Sequence, residues 1–231
     1  ITDAFWKTIN RTTRRFYERG RFVTFPGYEW HGNRTAYGDH NVVYRREGQP
    51  LDDTWSLPSL YEALRNREAL AIPHHTAYPV GARGKDWGFF DPLISPVMEL
   101  YSQHGSSEAV EAPEFMAYNT SMGPGTSGGT FRDALTRGLR VGVIGSNDGP
   151  GLPGRWGIGR AAVWAAENSR EAIWESFLAR RTYAVTGDRI RLDIRIGDTA
   201  MGGELSARGA VDVAVDVIGS QAIDKIELVH N

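Results

Sequence analysis

Apolar runs along this chain repeatedly end in an acid or a histidine. Residues 21–28 (RFVTFPGY) run into Glu29, Trp30 and His31, and residues 69–73 (ALAIP) run into His74 and His75. Pro96-Val97-Met98 leads to Glu99, with His104 close behind, and residues 141–146 (VGVIGS) lead to Asn147 and Asp148. Short runs rich in β-branched and aromatic residues, bounded by Gly and Pro, predict buried strands. The pattern places strands at 21–29, 41–44, 69–73, 96–102, 140–146 and 161–165. Helical spacing predicts a helix over 3–19, with Asp3 as N-cap and Phe5, Ile9, Phe16 and Tyr17 as its apolar face. Further helices are predicted at 56–67, with Leu60, Ala63 and Leu64 inward, at 130–138, and at 170–180 behind a Ser169 cap. Glycine- and proline-rich stretches at 76–95, 105–129 and 149–159 read as loops, and loops this long in a compact domain are usually functional or mobile.

From residue 182 onward the pattern changes, and the boundary falls near 188. Residues 189–196 alternate strictly between polar and apolar, and 210–218 and 224–229 do so less strictly. A period of two without an intervening helix predicts antiparallel sheet. The expected organisation is an α/β domain over 1–187 and a β-rich region over 188–231.

Composition narrows the function classes. With 231 residues and 41% hydrophobic content, the chain supports one large domain, or one domain with an appendage. A formal net charge of −2 and a pI near 6.3 carry no nucleic-acid footprint. No apolar stretch reaches the roughly 18 residues of a membrane span, and no signal-peptide pattern opens the sequence. Compartment (cytoplasm or periplasm) and oligomeric state stay open. Cysteine is absent, so any metal would be held by nitrogen and oxygen.

In α/β barrels, site residues sit at the C-terminal ends of strands. The repeated His, Glu and Asp endings therefore predict one site where strands converge, and those residue types together suggest metal. Each has a plainer reading. Glu29 could be satisfied by an arginine instead of a cation. His74 and His75 are adjacent, so in an extended segment only one would face the site. His40 could be a turn histidine, Glu99 and His104 a buried hydrogen-bond network, and Asp148 a turn aspartate. His31 and His230 are read as outside the ligand set. No G-x-S-x-G elbow and no G-x-x-x-x-G-K loop occurs.

Six segments carry a family resemblance: FPGYEWHG (25–32), GDHNVVYR (38–45), IPHHTAY (72–78), ELYSQHGSSE (99–108), IGSNDGPGLPGR (144–155) and RRTYAVTGDRI (180–190). As a set they resemble the PHP (polymerase and histidinol phosphatase) superfamily of metal-dependent phosphoesterases, in an uncharacterised bacterial branch. The resemblance implies a distorted (β/α)7 barrel, with its N-terminal strands apparently missing, followed by the small antiparallel region. It implies a metal set of Glu29, His40, His74 or His75, and Asp148, with Glu29 bridging and with Glu29 and Asp148 catalytic. Glu99, His104, Arg155 and Arg181 would bind substrate or support the ligands, with Arg160 a further arginine candidate. The implied cofactors are divalent Zn, Mn or Fe, and the implied partner is a small-molecule phosphoester. Two family features are missing: the opening His-x-His strand with its Asp-His pair, and the second histidine of the closing motif, where Pro150 stands. The expected activity is metal-dependent phosphoester hydrolysis. The alternatives are a non-catalytic binding or scaffold module, or hydrolysis of a non-phosphate substrate.

Overall fold

The computed structural model describes residues 1–149 and 159–229. Helix α1 (Asp3–Phe16) is N-capped by Thr2, not Asp3; the Thr2 hydroxyl accepts from the Phe5 amide. Its inward stripe is Trp6, Ile9 and Thr13, while Phe5 and Phe16 are exposed. Trp6 can be buried because its indole N–H donates to the Gln49 carbonyl at 2.8 Å, which satisfies the ring's one polar atom.

Strands β1 (Gly27–Trp30), β2 (His40–Tyr44) and β3 (Ala69–Pro73) form an antiparallel sheet in that order. The expected strand 21–29 is cut short at Pro26, which has no N–H to pair. The one-turn helix α2 (Arg34–Tyr37) lies between β1 and β2. Helix α3 (Leu57–Leu64) is capped by Ser56, and it packs Leu57, Leu60, Tyr61 and Leu64 into one core with Trp6, Tyr28, Val42 and Tyr44.

Strand β4 (Val97–Ser102) is central in a second sheet, with β5 (Gly105–Ser106) antiparallel on one side. Helix α4 (Phe131–Thr136), which carries a Thr130/Asp133 capping box, leads to β6 (Gly142–Gly145), which pairs with β4 in parallel. Strand β7 (Arg160–Val163), helix α5 (Arg170–Leu178) and strand β8 (Thr182–Val185) follow, with β7 and β8 antiparallel. Strand β3 lies beside β4, and β6 lies beside β7 and β8. A last antiparallel sheet has the order β10-β9-β11, from β9 (Arg191–Ile196), β10 (Thr199–Ala200) and β11 (Val213–Ile218). The alternating stretch 224–229 forms no strand. No helix among the described residues is long and apolar enough to cross a membrane.

The expected (β/α)7 barrel does not form. The described residues make small antiparallel and mixed sheets with five helices and no closed barrel. The only parallel strand pair among them is β4 with β6. One physical reason is the connection 31–39, shorter than the dozen or so residues a parallel crossover needs, so β1 and β2 must run antiparallel. Where longer links do carry a helix, α3 and α5, they still return the chain antiparallel.

Arg170, at the start of α5, ties distant segments together. Its guanidinium donates to both Glu47 carboxylate oxygens, at 2.9 and 2.6 Å, and to the Thr24 carbonyl at 2.7 Å, and it lies 4.2 Å from the Tyr17 ring centroid. The two side chains are only 8% and 10% exposed. Glu47→Gln should therefore lower stability by about 3 kcal/mol, since it strands a buried guanidinium. The Arg170 hydrogen bonds hold the Glu47 carboxyl below its ordinary range. That contribution is complete above the unfolded carboxylate pKa of about 4.3 and is lost as pH falls through the folded value. Urea midpoints of wild type and Glu47→Gln should converge as pH drops from about 6 toward 3. A constant gap would contradict the role given to this pair.

Candidate metal centre

Glu99 sits within β4 and is 2% exposed. Its Oε2 lies 2.8 Å from His74 Nδ1 and accepts from the Ser146 hydroxyl, and its Oε1 accepts from the His75 amide at 3.2 Å. A buried carboxylate is tolerable with donors of this kind around it. The same contacts anchor His74 by one nitrogen and aim the other. His74 Nε2 faces Asp148 Oδ1 at 3.3 Å and Glu29 Oε1 at 3.8 Å.

Alternation along a strand predicts that His74 and His75 diverge. They share one side because His75 takes φ +34°, in the left-handed region, which brings the two ring centroids to 3.9 Å. His75 Nε2 lies 3.4 Å from Asp39 Oδ2, while its Nδ1 is buried without a hydrogen-bond partner. Asp148 also bends left-handed, at φ +46°, just past β6. Its Oδ2 lies 2.8 Å from His104 Nε2, and the Gln103 side-chain amide donates to its carbonyl.

On the far side of Glu29, His31 Nδ1 lies 3.6 Å from Glu29 Oε1 and 3.6 Å from Asp39 Oδ1. The Asp39 side chain is wholly buried, and neither of its oxygens accepts a well-directed hydrogen bond. Glu29 thus belongs to two donor groups, Glu29–His74–His75 and Glu29–His31–Asp39. Within each group the ligand atoms lie within 4.8 Å of one another.

Charge is unevenly distributed over these groups. Burial opposes the charge on His74, but Glu99 and Asp148 outweigh it and raise its pKa to about 10. Burial and the neighbouring His74 push His75 down to about 2, so it offers a neutral imidazole. Burial works against the Asp148 carboxylate, yet hydrogen bonds with His104 and His74 hold its pKa below the usual range.

Of the residues singled out in the sequence, the structure gathers Glu29, His74, His75, Glu99, His104 and Asp148. It does not bring His40 into either donor group. That ring is fully buried near Trp30 and Tyr61, with Nδ1 3.3 Å from the Gly38 carbonyl and Nε2 3.2 Å from Lys85 Nζ. Arg181 pairs with Glu175 at 3.1 Å, and Arg160 lies on β7. Arg155, Pro150 and His230 lie outside the described residues. The sequence reading missed Asp39 and set His31 aside. The signal for His31 was its i, i+2 spacing from Glu29, which places both on one side of an extended segment.

The profile of the family described as "Protein of unknown function (DUF3604)" matches residues 1–82 and 103–216. An uncharacterized protein of Chlamydia pneumoniae is 29% identical over 254 residues, a match covering 100% of this chain and 40% of that protein. Uncharacterized proteins of Chlamydia trachomatis and Chlamydia muridarum are each 28% identical over 252 residues, with the same coverage. The chain thus spans 40% of the length of these curated relatives. No solved structure matches significantly.

The charge pattern predicts a measurable protonation state. In metal-free protein at about pH 7.5, nitrogen-15 shifts should show His74 as imidazolium and His75 as neutral imidazole. His74 is raised, so its contribution to stability is complete below the unfolded pKa of about 6.5 and is lost as pH climbs toward the folded value of about 10. A neutral His74 at that pH would contradict the Glu99 and Asp148 geometry.

Proposed function

We propose that this chain, which belongs to the DUF3604 family of proteins of unknown function, is a metal-dependent hydrolase whose substrate class is a phosphate ester. The observation that carries the reading is His74, anchored by buried Glu99 on one nitrogen and presenting the other to Glu29 and Asp148. A carboxylate that orients a ligand histidine from behind is the usual support of a metal site. The donor set suits divalent zinc, manganese or iron, being imidazole and carboxylate without sulfur. The buried Asp39 oxygens and His75 Nδ1, which have no hydrogen-bond partners, fit the same demand.

Glu29, His74 and His75 would hold one cation, with Asp148 beside it; Glu29, His31 and Asp39 would hold a second. Divalent cations bound there supply Lewis acidity toward water and toward an ester oxygen. The chain's own residues supply position and protons. The Glu29 charge lies between the two groups, and Glu99 fixes the His74 ring. His104, partly exposed and paired with Asp148, can hold a proton for a leaving oxygen. The phosphoester class rests on the likeness of the quoted segments to the PHP superfamily, not on a barrel. One observation favours a non-catalytic binding module instead: the Asp39 charge already faces Arg34 without a cation, and His40, a ligand by the family resemblance, is bonded to Lys85 in the core. The activity of the longer proteins to which the chain is related is part of the same proposal.

Glu29→Gln should lower kcat/KM toward a generic aryl phosphate about 100-fold, roughly 2.7 kcal/mol of transition-state stabilisation. It should also deplete both cations by elemental analysis, with little change in melting temperature. His31→Gln should lose one metal equivalent. Wild-type metal content and turnover in both variants would overturn the roles given to Glu29 and His31, whereas metal uptake without turnover in the wild type would favour the binding-module reading.

A further inference from the structure

Two arginines approach the buried Asp39 carboxylate from the surface. Arg34 Nε lies 3.0 Å from Oδ1 and Arg83 Nη1 lies 3.8 Å from Oδ2. Their side chains are 28% and 27% exposed, so both also reach solvent. They come from α2 and from the turn at 79–84, which are joined by the Gly81 amide donating to the Thr35 carbonyl at 3.0 Å. Gly38 presses against the Arg83 and Gly84 carbonyls, so closely that a side chain there would collide with them. The two guanidiniums therefore belong to one wall of the site.

The contact between these arginines and Asp39 is coulombic. Neither Asp39 oxygen accepts a well-directed hydrogen bond, and Arg34 Nε finds no acceptor of good geometry. The Arg170–Glu47 pair, by contrast, is a two-pronged fork with both oxygens engaged. A buried carboxylate without well-directed hydrogen-bond donors needs positive charge beside it. A cation on Asp39 would take over that role and release the arginines.

We infer that Arg34 and Arg83 are exchangeable counterions: they balance Asp39 while the site holds no cation, and bind the oxyanion of the substrate once a cation has taken Asp39. The inference rests on the metal-centre reading above. Guanidinium forks match a phosphate-type oxyanion in shape and charge. This assigns anion recognition to arginines other than Arg155 and Arg181, and it orders binding, with the cation first and the anion second.

The test titrates Mn²⁺, and then inorganic phosphate, into the intact chain by calorimetry, for wild type, Arg34→Gln, Arg34→Lys and Arg83→Gln. Arg34→Gln should bind Mn²⁺ about tenfold more tightly, because a competitor for Asp39 is gone, yet bind phosphate about tenfold more weakly in the Mn²⁺-loaded protein. Arg34→Lys should fall between the two, and Arg83→Gln should move in the same directions by less. A merely structural arginine would weaken both affinities together. That result, or no change in either affinity, overturns the inference and leaves the metal centre standing. Wild-type protein that takes up no Mn²⁺ overturns the metal-centre reading and this inference with it. Should Arg34→Gln not fold, Arg83→Gln is judged by the same opposite-sign criterion.

Discussion

One buried carboxylate organises the heart of this protein. Glu99 lies in the middle of β4 with almost no solvent contact, and an ionised group there is untenable without donors. The donors come from the end of β3, through the His74 ring and His75 amide, and from the end of β6, through the Ser146 hydroxyl. Two strand ends are thereby brought level with the middle of β4 by the Glu99 side chain. Backbone pairing alone does less: β6 pairs with β4 in parallel, while β3 is linked to the segment before β4 by Ala71, through the Ile94 carbonyl and the Ser95 hydroxyl. The position of the donor groups thus depends on satisfying Glu99.

Two kinds of ion pair divide the labour around that centre. Arg170 and Glu47 form a closed, two-pronged pair that fastens α5 to the segments next to β1 and β2. Arg34 and Arg83 meet Asp39 loosely, at the edge of the site. Geometry separates a fastening from a contact that can be traded, although every member is an arginine–carboxylate pair.

Much of the site was legible in the sequence because apolar runs mark strands and the residue that ends a run is exposed to whatever the strands surround. Glu29, His74, Glu99 and Asp148 were found that way. Strand direction was misread. The barrel that the resemblance implies has parallel strands, but the brevity of 31–39 forces β1 and β2 to run antiparallel. At 39–40 the pleat turns Asp39 toward the donor groups and His40 into the core beside Trp30 and Tyr61. Arg34 lies on a helix of four residues, too short to show a period, and Arg83 lies in a turn. Neither position differs in the sequence from an ordinary surface arginine. In the C-terminal region, alternation located β9 and β11 correctly, but at 224–229 it signals no strand pairing among the described residues.

The left-handed bend at His75 has a consequence for assembly. Two imidazoles that are neighbours in sequence become neighbours in space through a single backbone torsion, so on the metal-centre reading this half of the donor set would act as a built-in chelate. Bringing together donors from distant segments requires loop closure, whose entropic penalty grows with the length of chain enclosed. For His74 and His75 almost no chain is enclosed, and the penalty is confined to holding one non-glycine residue at positive φ, of order 1 kcal/mol or a little more. The pairing of the two rings is therefore set by one local kink, which the distant Glu99 carboxylate holds through the His75 amide. A transplant of this dipeptide into a straight strand would carry the residues but not the chelate.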